Sequence, residues 1–216
     1  MEKYNRNILL FGDENFQKLS KKQVVIFGVG GVGSFALDCL YRTGITKITI
    51  VDFDTYDESN RNRQLWSDNA IGQKKVETLK KIYPEIQIID TKISPEWVED
   101  FDFSNFDLVL DAIDDIPSKV AIAKKVSEKL ISSTGSANQI DPTKIRVISI
   151  WKTEHDPLAK KFRNELRKSG FRGDFKAIWS GAERVGERSG TFVGVTASFG
   201  LNLCSAGVQF LQKIKF

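Results

Sequence analysis

The segment GVGGVG, Gly28 to Gly33, constrains this chain more than any other. It follows VVIFG at 24–28, an apolar, β-branched run too short for a helix and read as a buried strand. It precedes Ser34–Thr43, where Phe35, Leu37, Leu40 and Tyr41 recur at helical spacing until Gly44 stops the helix. Gly28, Gly30 and Gly33 satisfy G-x-G-x-x-G between that strand and that helix, so backbone amides and the helix N-terminus can approach phosphate oxygens without obstruction by side chains. A structural reading, with the glycines serving helix–strand packing alone, stands beside it. Asp52 ends the next apolar run, ITKITIVDFD, where a carboxylate accepts hydrogen bonds from ribose hydroxyls. Taken alone, these features describe an NAD site.

The same alternation continues downstream. Short polar helical spacing covers 14–22 ahead of the first strand; a helix is expected over 71–82, a strand over 86–90 and a short helix near Ser94–Val98. DLVLDAID at 107–114 reads as a fourth strand ending in carboxylates, followed by a helix from Pro117 to Leu130. Repeated strand–helix–strand units need crossover connections, which predicts an α/β fold of Rossmann-like type: a mostly parallel sheet with helices on both faces. Beyond about residue 135 the rhythm changes. Strands are expected at 145–151 and 175–179, a helix capped by Asp156 with Pro157 at its first position runs to about Lys168, and a Gly/Ala/Ser-rich helix closes the chain over Thr191–Leu211. One domain over residues 1–216 is expected, with a nucleotide-binding part over about 1–135 and an elaborated C-terminal third, about 136–216, that holds antiparallel strands and the substrate and dimer elements. The last helix suits the core or a dimer interface, or a membrane surface.

Charge sharpens the division. The net charge is only +4, but residues 151–190 hold ten basic side chains against six acidic ones, while the other 176 residues balance at 22 against 22. A local excess attracts phosphates; a solvated basic helix face would look the same. The start lacks a signal-length apolar run, no later segment has a membrane span's length, and a reducing cytoplasm is the expected setting. Cys39 and Cys204, each among apolar or small neighbours, read as buried small hydrophobes, not nucleophiles. His155, the only histidine, suits a proton shuttle or an exposed loop. Asn138, Gln139 and Asp141 suit a monovalent cation or substrate, or simply a turn before a strand.

Cations clustered behind the glycine turn argue against hydride transfer. GVGGVGS at 28–34, VDFD at 51–54, SNRNRQ at 59–64, IGQKKVE at 71–77 and LDAID at 110–114 occur in order over about residues 4–115. This set resembles the ubiquitin-activating (ThiF/MoeB-like) adenylyltransferase superfamily. The resemblance implies that Gly31 and its neighbours seat ATP phosphates, Asp52 holds the ribose, and Asn60, Arg63 and Lys75 surround the triphosphate. Fixed cations there offset charge that develops at the α-phosphorus as pyrophosphate leaves. Asp114 would bind Mg2+. Arg6, in KYNRN, matches an arginine inserted into the partner subunit's site, which implies a homodimer with composite sites. Arg61 and Lys74 are read as solvated charges, and Asp54 and Asp111 either as carboxylates supporting the site or as ordinary strand-end residues.

STGSANQIDPTKI at 133–145, KTEHDPLAKKFRNELR at 152–167 and VTASFGL at 195–201 extend the likeness to nearly the full chain. Together with the front half they resemble the tRNA threonylcarbamoyladenosine dehydratases of that superfamily. This implies ATP-dependent activation of the threonyl carboxylate on tRNA bearing threonylcarbamoyladenosine, then ring closure. Lys160, Lys161, Arg163, Arg167 and Lys168 would meet the tRNA backbone. The zinc-binding cysteine pairs and acyl-accepting cysteine of protein-activating relatives have no counterpart here, which disfavours the alternative of adenylating the C-terminus of a ubiquitin-like or sulfur-carrier protein. A sulfur-relay protein partner is left open.

Overall fold

The computed structural model describes residues 2–186 and 189–213. Glu187 and Arg188, counted in the basic segment above, lie outside the described residues. In chain order the elements are α1 (Asn5–Phe11), α2 (Asp13–Ser20), β1 (Val24–Phe27), α3 (Gly33–Thr43), β2 (Ile48–Val51), α4 (Lys75–Ile82), β3 (Gln87–Ile89) and α5 (Pro95–Asp100). They continue with β4 (Leu108–Asp111), α6 (Ile116–Val126), β5 (Leu130–Ser133), β6 (Ile145–Ser149), α7 (Pro157–Lys168), β7 (Lys176–Ser180) and α8 (Val193–Leu211).

Seven strands form one sheet in the order β3-β2-β1-β4-β5-β7-β6. All neighbours pair in parallel except β6 and β7, which run antiparallel from Ile145 opposite Ser180 to Ser149 opposite Lys176. The strand period of two divides the core between the faces. Val24, Ile26, Ile48, Ile50, Leu108 and Leu110 point toward α3, α4 and α8, while Val25, Phe27, Val51 and Val109 point toward α5, α6 and α7. The expected mostly parallel sheet with helices on both faces is therefore present, with the antiparallel pair in the C-terminal third.

Three local readings change. The helix expected to run to Leu130 ends at Val126, and Leu130–Ser133 is instead β5, fully buried between β4 and β7. LISS continues the apolar spacing of the helix before it, so periodicity could not separate the two. The helix expected from residue 71 starts at Lys75, because Ile71 and Lys74 make single bridges to Tyr56 and Thr55. The N-terminal α1, which carries Arg6, was not expected at all.

Helix α8 lies against α3 at unusually close range. A Cβ on Gly200 would sit 2.4 Å from the Val32 carbonyl oxygen, so only glycine allows the approach. On the same two helices Cys39 and Cys204 form a disulfide, with Cα atoms 6.1 Å apart. This corrects the reading of both cysteines as separate small hydrophobes: the face-to-face packing of α3 and α8 brings residues 165 apart in sequence into bonding contact. Helix α8 buries Val195, Phe199 and Leu203 and is a core helix. Among the described residues no helix is long and apolar enough to cross a membrane.

Candidate active site at the carboxyl ends of the strands

Strand order reverses direction at β1, with β2 on one side and β4 on the other. A crevice opens at the carboxyl ends of strands at such a point, and here it is a cleft of about 590 Å3. Its floor is the glycine turn. Gly28 has φ +80°, and a Cβ there would meet the Ala112 carbonyl oxygen at 3.0 Å; one on Gly33 would lie 1.9 Å from the Gly28 oxygen. The glycines divide by position: Gly28, Gly30 and Gly31 line the cleft, while Gly33 packs helix on strand behind it.

Asp52 directly follows β2 and is buried. One carboxylate oxygen accepts the Val29 amide at 2.8 Å and the other the Asp54 amide at 2.9 Å, so this side chain shapes the glycine turn and keeps lone pairs for a ligand. Burial, and then the Asp52 charge, push the Tyr56 hydroxyl far above the ordinary phenol range. Asp54 pairs with Lys75, whose buried ammonium is 2.8 Å from Oδ2. Asp54 thus supports the site, the first of the two readings given for it.

The SNRNRQ segment forms the opposite wall. Asp57 caps a short turn over Glu58–Asn60, accepting the Ser59 amide while Asn60 Oδ1 accepts the Asp57 amide. The Ser59 hydroxyl, then the Ser59 amide, Asn60 and the charge of Lys75, hold the Asp57 carboxyl below the usual carboxylate range. Arg63 donates to the Ser59 carbonyl at 2.6 Å, and its aliphatic stem lies along Gly31, 3.2 Å from where a Cβ would be. Gln64 is buried at the cleft wall with Oε1 unpartnered among the described residues.

Asp114 reaches the cleft from the turn after β4, exposed and with no ion pair or hydrogen bond among the described residues. Its neighbour Asp115 is already used, capping α6 through the Ser118 amide at 2.9 Å. An unpaired carboxylate on the cleft is the donor chemistry Mg2+ takes, so Asp114 fits that ion. The orphaned Gln64 oxygen and the side-chain-free glycine cradle likewise fit a nucleotide.

Gly28, Gly30, Gly31, Asp52, Asn60, Arg63, Lys75 and Asp114 thus converge. Arg6 does not join them; it is exposed on α1 beside Leu9 and Leu10, themselves 72% and 75% exposed. Arg61 pairs with Glu58 and Asp68, and Lys74 with Asp90, so both are surface charges as expected. His155 is an exposed loop residue, its side chain 91% accessible and absent from the cleft. Asp141 caps the turn before β6 through the Thr143 amide, and Asn138 ties its own loop to Val185, Gly186 and Gly190. The sequence reading missed Lys92, which lines the cleft with its ammonium 5.8 Å from the Phe53 ring centre, and Ser136 and Thr191 on the far rim. Lys92 had one available signal, its place just past β3 in IIDTK.

The basic face is uneven. Lys160 and Lys161 are exposed on α7 without partners among the described residues, and Arg167 lies over the Trp151 ring at 5.3 Å. Arg163, expected beside them, turns inward and donates to the Thr153 hydroxyl; burial, and then the neighbouring Arg167, lower its pKa.

A model described as the ThiF family matches residues 4–176. The tRNA threonylcarbamoyladenosine dehydratase of Bacillus subtilis is 39% identical over 190 residues, 83% of this chain and 75% of that protein. The structure of Escherichia coli tRNA N6-threonylcarbamoyladenosine dehydratase in complex with AMP superimposes with a TM-score of 0.92 at 29% identity, covering 98% of this chain and 94% of that one. A second structure of that enzyme, in complex with ATP, gives a TM-score of 0.91 at 30% identity, with coverage of 98% and 94%.

Proposed function

The chain belongs to the ThiF family and to its tRNA threonylcarbamoyladenosine dehydratases, and from that premise we propose how its cleft carries out their reaction. The protein is an enzyme that uses ATP to dehydrate threonylcarbamoyladenosine in tRNA. The threonyl carboxylate attacks the α-phosphorus of ATP and pyrophosphate leaves, giving an acyl-adenylate. The substrate's own carbamoyl group then attacks the activated acyl carbon and AMP leaves, closing the ring with net loss of water. A carboxylate is a poor electrophile until adenylation, and the attacking group is already tethered beside it, so proximity carries the second step without a protein nucleophile.

The observation that carries this reading is the convergence of Asp52, Arg63, Lys75 and Asp114 on one side-chain-free glycine turn. Asp52 takes the ribose hydroxyls. Gly28, Gly30 and Gly31 offer backbone to the phosphates, with Asn60 at their edge. Arg63 and Lys75 face the triphosphate and offset charge that grows at the α-phosphorus and on pyrophosphate. Lys75 is held ready by Asp54 until a phosphate competes for it. Mg2+ on Asp114 would neutralise phosphate oxygens when bound.

The C-terminal third, about 136–216, receives the tRNA, with Lys160 and Lys161 on α7 meeting phosphates. The enzyme works in the cytoplasm as a homodimer, each protomer lending Arg6 to its partner's cleft. The exposed Leu9 and Leu10 beside Arg6 support that arrangement. Incubation with ATP and tRNA bearing threonylcarbamoyladenosine, followed by nucleoside mass spectrometry, tests the reading: the product should be lighter by one water, and unchanged nucleoside would defeat it. Arg6→Ala should be inactive alone and regain activity in mixed dimers with Lys75→Ala; absence of rescue would defeat the shared site.

A further inference from the structure

Lys119 does not itself line the cleft described above, yet it is the most enclosed cation among the described residues, its side chain 1% exposed and that of its partner Asp111 0% exposed. The ammonium lies 2.8 Å from Asp111 Oδ2, 3.1 Å from the Ile113 carbonyl and 2.9 Å from the Ser133 carbonyl. Three N–H donors meet three acceptors, and the Phe162 ring of α7 closes the remaining side at 5.4 Å. Asp111 is equally engaged, accepting the Ser132 hydroxyl at 2.7 Å and the Ile113 amide at 3.2 Å.

A buried ion pair is a weak source of stability, because an apolar pair of similar volume often does as well. Its placement supplies another reason for its presence. The two carbonyls it holds belong to the turn after β4 and to the end of β5. Ala112, Ile113, Asp114 and Asp115 line the cleft from the first, and Ser136 lines it just beyond the second. Asp52, Asp54 and Asp57 also face that cleft. An uncompensated Asp111 beneath it would add another negative charge where a polyanion has to bind, and Lys119 removes that charge.

We propose that Lys119 is a positioning residue: through the carbonyls of Ile113 and Ser133 it fixes the Ala112–Asp115 turn and the start of the 134–136 segment in the arrangement that accepts a triphosphate, while neutralising Asp111. It acts through backbone and touches no reacting atom. The inference rests on the nucleotide reading of the cleft.

The test compares wild type, the double variant Asp111→Asn/Lys119→Met and the single variant Lys119→Arg. Each is followed by thermal melting, by amide hydrogen exchange and by calorimetric titration with ATP and Mg2+. The double variant removes both charges at near-constant volume and should fold. Its amides at 112–116 and 133–136 should exchange faster while those of β1 and β2 do not, and ATP affinity should fall about tenfold, the scale of one weakened hydrogen bond to a charged group. Lys119→Arg keeps the charge but spreads its donors over a planar fork that cannot reach the same three acceptors, so it should show the same local exchange with a smaller loss of affinity. A folded double variant with wild-type exchange and affinity would overturn the proposal. Failure of both variants to fold would also overturn it, by assigning Lys119 to the core alone. Wild-type protein that binds no ATP would defeat the nucleotide reading instead, and the exchange measurement would still decide the role of Lys119.

Discussion

Around the glycine turn most charged side chains are held in place before any ligand arrives: Asp52 by two amides, Lys75 by Asp54, Asp57 by Ser59 and Asn60, and Arg63 by the Ser59 carbonyl. Along α7, by contrast, Lys160 and Lys161 extend into solvent with no partner among the described residues. The two regions suit different tasks. Fixed dipoles and charges stabilise a transition state because they need no reorganisation as the reaction proceeds. Long, free lysines cover a phosphate backbone loosely, giving affinity that tolerates variation in the partner. The cleft is built for chemistry and the helix for attachment.

The largest effect should come from breaking the fixed region. Lys75→Ala should lower AMP formation by about 10²-fold or more, the scale for losing one preorganised charge. It should leave the melting curve and tRNA retention near wild type, because the released Asp54 is 46% exposed and solvated. A parallel loss of tRNA binding would break the division between the regions. Next in size, Lys160→Glu with Lys161→Glu should weaken tRNA binding about tenfold at low salt and flatten its salt dependence. Calorimetry should find ATP affinity unchanged; a shift would show that α7 is part of the nucleotide site.

Reduction of Cys39–Cys204 should act on stability rather than on chemistry. Losing the tie removes a constraint on the unfolded chain of about 2–4 kcal/mol, which lowers the melting temperature by on the order of 5–15 °C for a chain of this size. Scanning calorimetry with and without reductant measures it, and ATP affinity should change less than twofold if the helix packing alone holds the cleft. The smallest effect concerns Asp57. Its pKa is depressed in the folded protein by its hydrogen bonds with Ser59 and Asn60 and the charge of Lys75. Its contribution is therefore complete above the unfolded value, about 3.9, and is lost only as pH falls through the lower native value. Amide protection at 58–60, measured relative to the intrinsic exchange rate at each pH, should hold from neutral pH to about pH 4 and fall below that. Asp57→Asn should remove that acid step.

The front half was legible because its signals are local. A β-branched run, three glycines and a strand-end aspartate each mark one turn of chain, and the structure brings those turns to one sheet end in the expected order. What escaped the sequence depends on contacts across long separations. Nothing near Leu130–Ser133 distinguishes a buried strand from the end of α6 until β4 and β7 lie on either side. Arg163 has the spacing of its exposed neighbours but is drawn inward by Thr153, ten residues earlier. Lys119 looks like any lysine in an amphipathic helix; only the fold supplies the Asp111 carboxylate and the Ser133 carbonyl that hold it. Cys39 and Cys204 each sat among plausible apolar neighbours, and their meeting follows from helix packing rather than from either local sequence.

The close seat of Gly200 on the Val32 carbonyl means that the last helix is part of the wall of the cleft and cannot be treated as a tail. Thr196, one turn before Gly200, faces the same space as the glycine turn. Trimming inward from the far end of the chain would thus reach a limit well before the strands are touched, first at the tie made by Cys204 and then at the seat of Gly200.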